Sequence, residues 1–358
     1  MRVLHVAESI KGGVGTYLNE IVPVLHDRPA ISAQRVLVPS SQIGQLPAIP
    51  PGMIVPFACE GRSRAALILL AREVRRTVAA FRPDLIHAHS SFAGVVVRGL
   101  LGWRRNRPRI VYCPHGWAFD MAGSARRRRA TAAIERLLAP LCDHIVTISD
   151  HERRGGLAVG IDGRRLTTIV NGITDLDDLP LPPRVTHAPR RLLFVGRLDR
   201  QKGFDVLVRA VGTLGSRVHL RVAGAAVVGD GDAATLPPNV TSLGWQSGAA
   251  IAAEVAAADL VVVPSRWEGF GLVAVEAMRG ARAVVASAVG GLPEVVADGE
   301  TGRLVPPDDA DALAAALIAD DPATLAAMGA AGRRRFERLF TVDRTVDGLV
   351  DLYAGMSA

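Results

Sequence analysis

Residues Pro264–Gly280 read PSRWEGFGLVAVEAMRG, and they follow the apolar run ADLVVV at 258–263. The run has the length and β-branched content of a buried strand. The glycine turn Gly269-Phe270-Gly271 comes next, and from about Leu272 the spacing of Val273, Val275 and Met278 predicts a helix. A strand, a glycine loop and a helix in that order aim unpaired backbone N–H groups at an anion. Two glutamates bracket the loop: Glu268 just before it and Glu276 about one turn into the helix. Both are placed to face a ligand held at the turn. The plain alternative is a solvated loop glutamate and a helix glutamate that caps a neighbour.

Outward from this stretch, the chain repeats the same alternation twice. In the second half, 191–195 is predicted as a strand, 196–203 as a loop and 204–214 as a helix. Strands near 218–223 and 241–243 and a helix at 248–256 follow, and 325–353 is helical with a break near Phe340-Thr341. In the first half, strands are expected at 3–7, 34–38, 85–89, 110–113, 144–149 and 168–170. Helices are expected near 17–25, 65–81 and 92–101. A proline-rich stretch without period, LPLPPRVTHAP at 179–189, reads as a linker. The expected architecture is α/β, with two Rossmann-like, doubly wound domains facing across a cleft.

With 358 residues, the chain is long enough for two cores. A hydrophobic share of 49% and a charged share of 22% exclude a disordered chain. Cys59, Cys113 and Cys142 have no paired spacing, so neither a disulfide framework nor a zinc site is expected. The N-terminal apolar run is too short for a signal peptide, and the run near 92–103 is broken by Arg98. A cytoplasmic location is expected, with peripheral attachment to the inner face of the cell membrane as the variant of it. Residues 1–185 carry 25 basic against 15 acidic residues, so the formal net charge of +7 belongs to the first half. Arg98, Arg104, Arg105, Arg107, Arg109 and the run Arg126–Arg129 offer an anionic membrane surface as a partner. A solvated arginine face is the plain alternative. Nucleic acid is not expected, because aromatics are not interleaved with the arginines.

Three loops bear candidate chemistry. Lys11-Gly12-Gly13-Val14-Gly15-Thr16 joins the first strand to a helix, a phosphate-approach device that is weak evidence alone. A dinucleotide fold would need an acid at the end of the second strand, and the sequence there is Pro39-Ser40-Ser41. A P-loop would need a lysine directly before Thr16, and Gly15 stands there. His115 lies at the end of the strand 110–113, on the edge where open α/β sheets bind ligands. His87 and His89 share one strand face, but no third ligand stands near them in sequence, so no metal site is expected. Finally, Arg197 and Lys202 stand five apart in the loop 196–203, and Lys202 is one of only two lysines. A guanidinium fork and a mobile ammonium together suit a diphosphate.

These pieces carry a resemblance. GGVGTY near the start is followed by PHG at 114–116, VTISD at 146–150, VNGI at 170–173 and FVGRLDRQKGFDVLVRA at 194–210. Then come the two glutamates eight apart, and GGLPEVV with DGETGRLV at 290–305. In this order they resemble the retaining family 4 glycosyltransferases of the GT-B fold, over nearly the whole chain. The resemblance implies an N-terminal acceptor-side domain at 1–178, the linker at 179–189, and a nucleotide-sugar-binding domain at 190–335. It also implies a C-terminal helix at 336–358 that crosses back to the first domain. It assigns Arg197 and Lys202 to the donor diphosphate, Glu276 to the ribose and Glu268 to the transferred sugar. Backbone N–H groups of Gly269, Phe270, Gly271 and Leu272 would meet sugar or phosphate. His115 would reach the donor sugar, Gly12 and Gly13 would approach sugar or phosphate, and the stretch Gly244-Trp245-Gln246 would flank the base. The stretch Ala223-Gly224-Ala225-Ala226-Val227 is more apolar than the turn usual there. The implied activity moves a sugar from a nucleotide-diphosphate donor to a hydroxyl of a glycan or lipid-linked acceptor. No cofactor or metal is implied beyond the donor itself. Retention is expected through same-face attack, with the paired-carboxylate route through Glu268 as the alternative. A nucleotide-sugar epimerase and a non-enzymatic nucleotide-sugar binder are the competing classes.

Overall fold

The structure is a computed structural model, and it describes residues 1–58, 63–176, 189–225 and 236–356. Cys59, the linker 179–188, and Ala226 and Val227 of the apolar turn lie outside the described residues. The chain divides into two compact units. Unit 1 comprises Met1–Thr174 with Val342–Ala358, and unit 2 comprises Asp175–Thr341.

Among the described residues, unit 1 is built on seven parallel strands: β1 (Arg2–Ala7), β2 (Ala33–Pro39), β3 (Ile54–Phe57), β4 (Leu85–His89), β5 (Arg109–Cys113), β6 (His144–Thr147) and β7 (Leu166–Thr168). Their order in the sheet is β3-β2-β1-β4-β5-β6-β7. Helices α1 (Gly13–His26), α2 (Arg64–Phe81), α3 (Ser91–Leu101), α4 (Ala125–Leu138) and α5 (Asp150–Ala158) make the crossovers. Every residue of β4 is buried, and only Arg2 of β1 and Arg109 of β5 are exposed. Helices that cover both faces of a parallel sheet impose this burial, so the strands show no polar alternation. The order reverses between β1 and β4, and such a switch point opens a crevice beyond the strand ends.

Local chemistry sets the helix ends. The Ser63 hydroxyl accepts from the Ala66 amide at 3.1 Å and starts α2. The Ser149 hydroxyl accepts from the Glu152 amide at 3.1 Å and starts α5. This spacing is that of a capping box, but the Glu152 carboxylate turns elsewhere. It accepts from the amides of Ile148, at 3.0 Å, and Gly116.

Among the described residues, unit 2 holds six parallel strands: β8 (Arg190–Val195), β9 (Val218–Ala223), β10 (Val240–Gly244), β11 (Leu260–Val263), β12 (Ala283–Ser287) and β13 (Gly302–Val305). Their order is β10-β9-β8-β11-β12-β13, with the switch point between β8 and β11. Helices α6 (Phe204–Leu214), α7 (Gly248–Ala257), α8 (Leu272–Arg279), α9 (Leu292–Val295), α10 (Ala310–Ala319) and α11 (Pro322–Leu339) complete it. Its core joins Leu192, Phe194, Leu207, Val211, Leu220, Val262, Val285 and Leu317. The last helix, α12 (Val342–Gly355), belongs to unit 1. There the Tyr353 hydroxyl meets His87 Nδ1 at 2.7 Å, and Thr345 donates to the Val170 carbonyl at 2.8 Å.

Three expectations need correction. The strand expected at 168–170 lies at 166–168, because Leu166 rather than Val170 pairs with β6. The return to unit 1 begins at Val342 rather than at 336, since α11 continues to Leu339 and Phe336 lies buried in unit 2. Arg98 is not part of a basic face. It is fully buried, with Nη2 at 2.7 Å from Glu135 and Nε donating to the Gly94 carbonyl. Its guanidinium lies over the Tyr112 ring at 3.9 Å, and Tyr112 donates to the other Glu135 oxygen. A buried charge needs such a partner, and the arginine-rich sequence hides which one has it.

Candidate functional site

In unit 2, the loops that leave β8 and β11 flank the switch point. They are held together from several sides. Arg266 forks onto Asp205 with both Nη atoms at 2.7 Å and donates to the Arg200 carbonyl at 2.8 Å. Its amide donates to the Gln201 carbonyl at 2.8 Å, and it also pairs with Asp308. Bidentate pairing fixes direction as well as distance. Gly203 sits in left-handed backbone at φ 66°, and a Cβ there would lie 1.9 Å from the Pro264 carbonyl oxygen. Only glycine allows that approach. Arg266 is a residue the sequence reading missed; nothing in RWEGFG marks it as a staple.

This staple brings Lys202 and Glu268 together across 66 positions. Lys202 Nζ lies 2.6 Å from Glu268 Oε2, and the Ser265 hydroxyl donates to the same oxygen at 3.2 Å. Both side chains are partly buried, at 20% and 14% exposure. Arg197 Nη2 donates to Gln201 Oε1 at 2.6 Å and pairs with Asp199 at 3.2 Å. Helix α8 starts at Leu272 after Gly271 (φ 108°), with no side chain capping it. Its first turn therefore keeps N–H dipoles for an incoming acceptor. Glu276 is half-buried one turn further along. The Phe270 ring is buried, 5.8 Å from Phe340, so only its backbone can serve a ligand. At the end of β10, Gly244 turns at φ 67° and Trp245 is 56% exposed.

In unit 1, α1 starts at Gly13 without a side-chain cap, after Gly12 at φ 82°. Space lies open beside both glycines. Close by in the sheet, histidines gather around the switch point. His5 on β1 pairs in register with His87 on β4, and both are fully buried with His89. His5 Nε2 faces Gln34 Oε1 at 3.2 Å and its Nδ1 faces His89 Nε2 at 3.1 Å, and the line continues through His89 Nδ1 to His115 Nε2 at 3.0 Å. His115 has the left-handed φ of 50°, costly for a side-chain-bearing residue, and Tyr17 lies edge-on at 4.8 Å. The Glu152 bond to the next amide, Gly116, anchors the turn. Sequence reasoning placed His87, His89 and His115 but missed His5, Gln34 and Glu152. Nitrogens of His5, His87 and His89 lie within 4.8 Å of one another, so the third partner absent from the local sequence is supplied by β1.

Burial keeps these imidazoles neutral. It lowers His5 to about 4 and His115 to about 3, and holds His87 and His89 well below the usual range. Burial also raises Glu152 to about 7. The unfolded chain binds protons at these histidines near pH 6.5, whereas the folded chain does so only well below that, near pH 4 at His5 and near pH 3 at His115. Stability contributed by neutral burial is thus complete above pH 6.5 and is lost as pH falls toward 4. Each histidine contributes up to about 1.4 kcal/mol per pH unit in that window. Glu152 opposes with one proton between pH 4.5 and 7. The expected net result is a Tm that falls from pH 7 to pH 5 in a thermal melt; a flat or rising Tm would contradict neutral burial of the cluster.

On the remaining basic surface, Arg104, Arg105 and Arg126–Arg129 are exposed, whereas Arg107 and Arg109 both pair with Asp143. Helix α4 also exposes Leu137 (74%) and Ile134 (45%), and Trp103 is 76% exposed.

Comparison with known proteins gives this geometry a family. Residues 11–175 match the model of Glycosyltransferase Family 4, and residues 189–319 match that of Glycosyl transferases group 1. The chain is 31% identical over 327 residues to the phosphatidyl-myo-inositol mannosyltransferase of Mycolicibacterium smegmatis, covering 86% of this chain and 81% of that protein. It is 32% identical over 323 residues to an uncharacterized 41.2 kDa protein in the cps region of Klebsiella pneumoniae, covering 87% of each. Among solved structures, the sucrose-phosphate synthase of Thermosynechococcus elongatus superposes with a TM-score of 0.82 at 24% identity, covering 99% of both chains. Anabaena HepE, in complex with UDP and glucose, superposes with a TM-score of 0.80 at 22% identity, again over 99% of both. Two parallel-sheet units with these strand orders, and matches of this length in both, make the chain a glycosyltransferase of the GT-B fold that belongs to family 4.

Proposed function

We propose that the enzyme takes its sugar from a nucleotide-diphosphate donor and transfers it to a hydroxyl with retention, using side-chain cations where other enzymes use a metal ion. One observation carries this reading: the clamped pair of loops that holds Lys202 against Glu268 at 2.6 Å, with Arg197 in the same loop. A diphosphate entering these loops competes with Glu268 for the ammonium. Lys202 exchanges the carboxylate for phosphate oxygens, and the carboxylate is released to accept from sugar hydroxyls. Arg197 supplies a second cation, and the α8 N-terminus supplies N–H dipoles. Glu276 is assigned to the ribose hydroxyls and Trp245, beside Gly244, to the base. In unit 1, His115 is assigned to a sugar hydroxyl and the backbone of Gly12 and Gly13 to sugar or phosphate.

In the reaction, the bond from the anomeric carbon to the phosphate oxygen breaks, and its electron pair stays on the diphosphate. The acceptor hydroxyl oxygen attacks the same face, and its proton passes to the departing phosphate oxygen. Fixed cations stabilise the charge as it develops, so they act more strongly on the transition state than on the bound donor. HepE complexes with UDP and with UDP-glucose support a nucleotide-sugar donor. Incubation with UDP-, GDP-, ADP- and dTDP-sugars in the presence of a chelator tests the reading. The product's anomeric configuration should match the donor's by NMR. An inverted product, or turnover that stops with the chelator, would contradict it.

The acceptor is assigned to a lipid-linked or polysaccharide precursor, with the enzyme resting on the inner face of an anionic membrane. The four exposed arginines of α4, together with Leu137, support this placement. Each basic residue near such a surface contributes about 1 kcal/mol. The protein should float with vesicles that contain anionic lipid, and replacement of Arg126–Arg129 by glutamine should leave it at the bottom. Equal flotation of the two forms would rule out α4 as the contact.

A further inference from the structure

The histidine cluster of unit 1 has a direction, and one of its ends cannot turn. Gln34 on β2 donates from Nε2 to the Val22 carbonyl at 2.9 Å. A carbonyl only accepts, so the amide orientation is fixed and Oε1 faces His5 Nε2 at 3.2 Å. His5 Nε2 must then carry the proton. A neutral imidazole has one N–H, which leaves His5 Nδ1 as an acceptor. His89 Nε2, at 3.1 Å, must donate to it, and His89 Nδ1 becomes the acceptor in turn. His115 Nε2, at 3.0 Å, donates to that atom. The same rule leaves His115 Nδ1 without a proton, and no hydrogen bond reaches it among the described residues.

We propose that Gln34, His5 and His89 are positioning residues that lock His115 in its Nε2–H tautomer, so that Nδ1 faces the substrate as a hydrogen-bond acceptor. The inference rests on the assignment of His115 to the substrate sugar. It sharpens that assignment: the partner of Nδ1 must be a donor, hence a hydroxyl, and not an oxygen of a phosphate or carboxylate. Reversal of the line would set two acceptors against each other at Gln34, a buried mismatch with no donor to relieve it. The line is pinned geometrically as well. His5, Gln34 and His89 are at most 1% exposed, and the left-handed turn at His115 holds the ring at its open end. His87 stands beside the line, bonded to Tyr353 through Nδ1, with Nε2 unpartnered among the described residues.

Long-range proton–nitrogen correlation on the full chain, labelled at histidine nitrogen, reads each tautomer directly near pH 7.5. His115 signals are identified by their loss in His115→Gln. The expected result is a protonated Nε2 and a bare Nδ1 at each of His5, His89 and His115. Gln34→Leu should shift His115 to intermediate nitrogen values and raise the KM for the donor about three- to tenfold, with kcat changed less. Gln34→Glu, whose acid form can both donate to Val22 and accept from His5, should restore both. A protonated Nδ1 at His115 in the wild type overturns the relay, as does a metal ion co-purifying on His5, His87 and His89. The wild-type spectrum decides this even where Gln34→Leu fails to fold. If the tautomers are as stated and His115→Ala turns over normally, the assignment of His115 to the sugar fails and the proposal falls with it.

Discussion

Lys202→Ala is expected to lower kcat/KM by about a hundred- to a thousandfold, the range set by loss of one preorganised charge at a developing oxyanion. Two effects combine. The leaving diphosphate loses its ammonium, and Glu268 loses the partner 2.6 Å away that balances its half-buried charge. The second effect works against donor binding, because an unpaired carboxylate repels phosphate. Glu268→Gln added to Lys202→Ala removes this repulsion, so the double variant should lose less than the two single losses combined. Arg197→Ala should act separately. Its guanidinium is held by Gln201 and Asp199, not by Glu268. Steady-state kinetics on the wild type, the three single variants and the double variant give the comparison. Activity of Lys202→Ala within threefold of wild type would remove the cation from the mechanism.

Gly290→Ala is expected to cost more stability than any exposed substitution, above about 4 kcal/mol, or to move the Glu268 loop. A Cβ at position 290 would lie 1.7 Å from the Glu268 carbonyl oxygen and 2.8 Å from its carbon. Backbone, not a flexible side-chain tip, stands in the way. The position also has φ 57°, where an L side chain is strained by a further 1–2 kcal/mol or so. The neighbouring amide, Gly291, donates to the same carbonyl at 3.2 Å, so the turn after β12 is what seats Glu268. Denaturant unfolding checks the loss. A Gly290→Ala protein with wild-type stability and wild-type kinetics would show that the turn does not hold Glu268.

Much of this was legible in the residues. β4, β9, α6 and α8 lie where their apolar spacing put them, because buried parallel strands and amphipathic helices write their period into the sequence. The cationic loop and the two glutamates were legible for a different reason: strand-end glycine loops are few, and each names a ligand chemistry. What failed was partnership. Nothing in the spacing of Lys202 and Glu268 shows the ion pair they make across 66 positions. His5 was invisible as a partner of His89 because the register between β1 and β4 is a tertiary fact. Charge alone does not report burial, so the sequence does not set Arg98 apart from the surface arginines, and its partner Glu135 sits 37 positions away. The short edge strand β3, IVPF, contains a proline and too few residues to stand out, and it passed unread.

On this mechanism the Arg197–Lys202 loop binds the donor through its diphosphate. Titration calorimetry tests it most directly, with the wild type and Arg197→Ala/Lys202→Ala, each against nucleoside diphosphates and the matching nucleosides. One diphosphate should bind the wild type much more tightly than its nucleoside. The double variant should lose that difference while nucleoside binding is kept. Equal diphosphate affinity in the two proteins would contradict it.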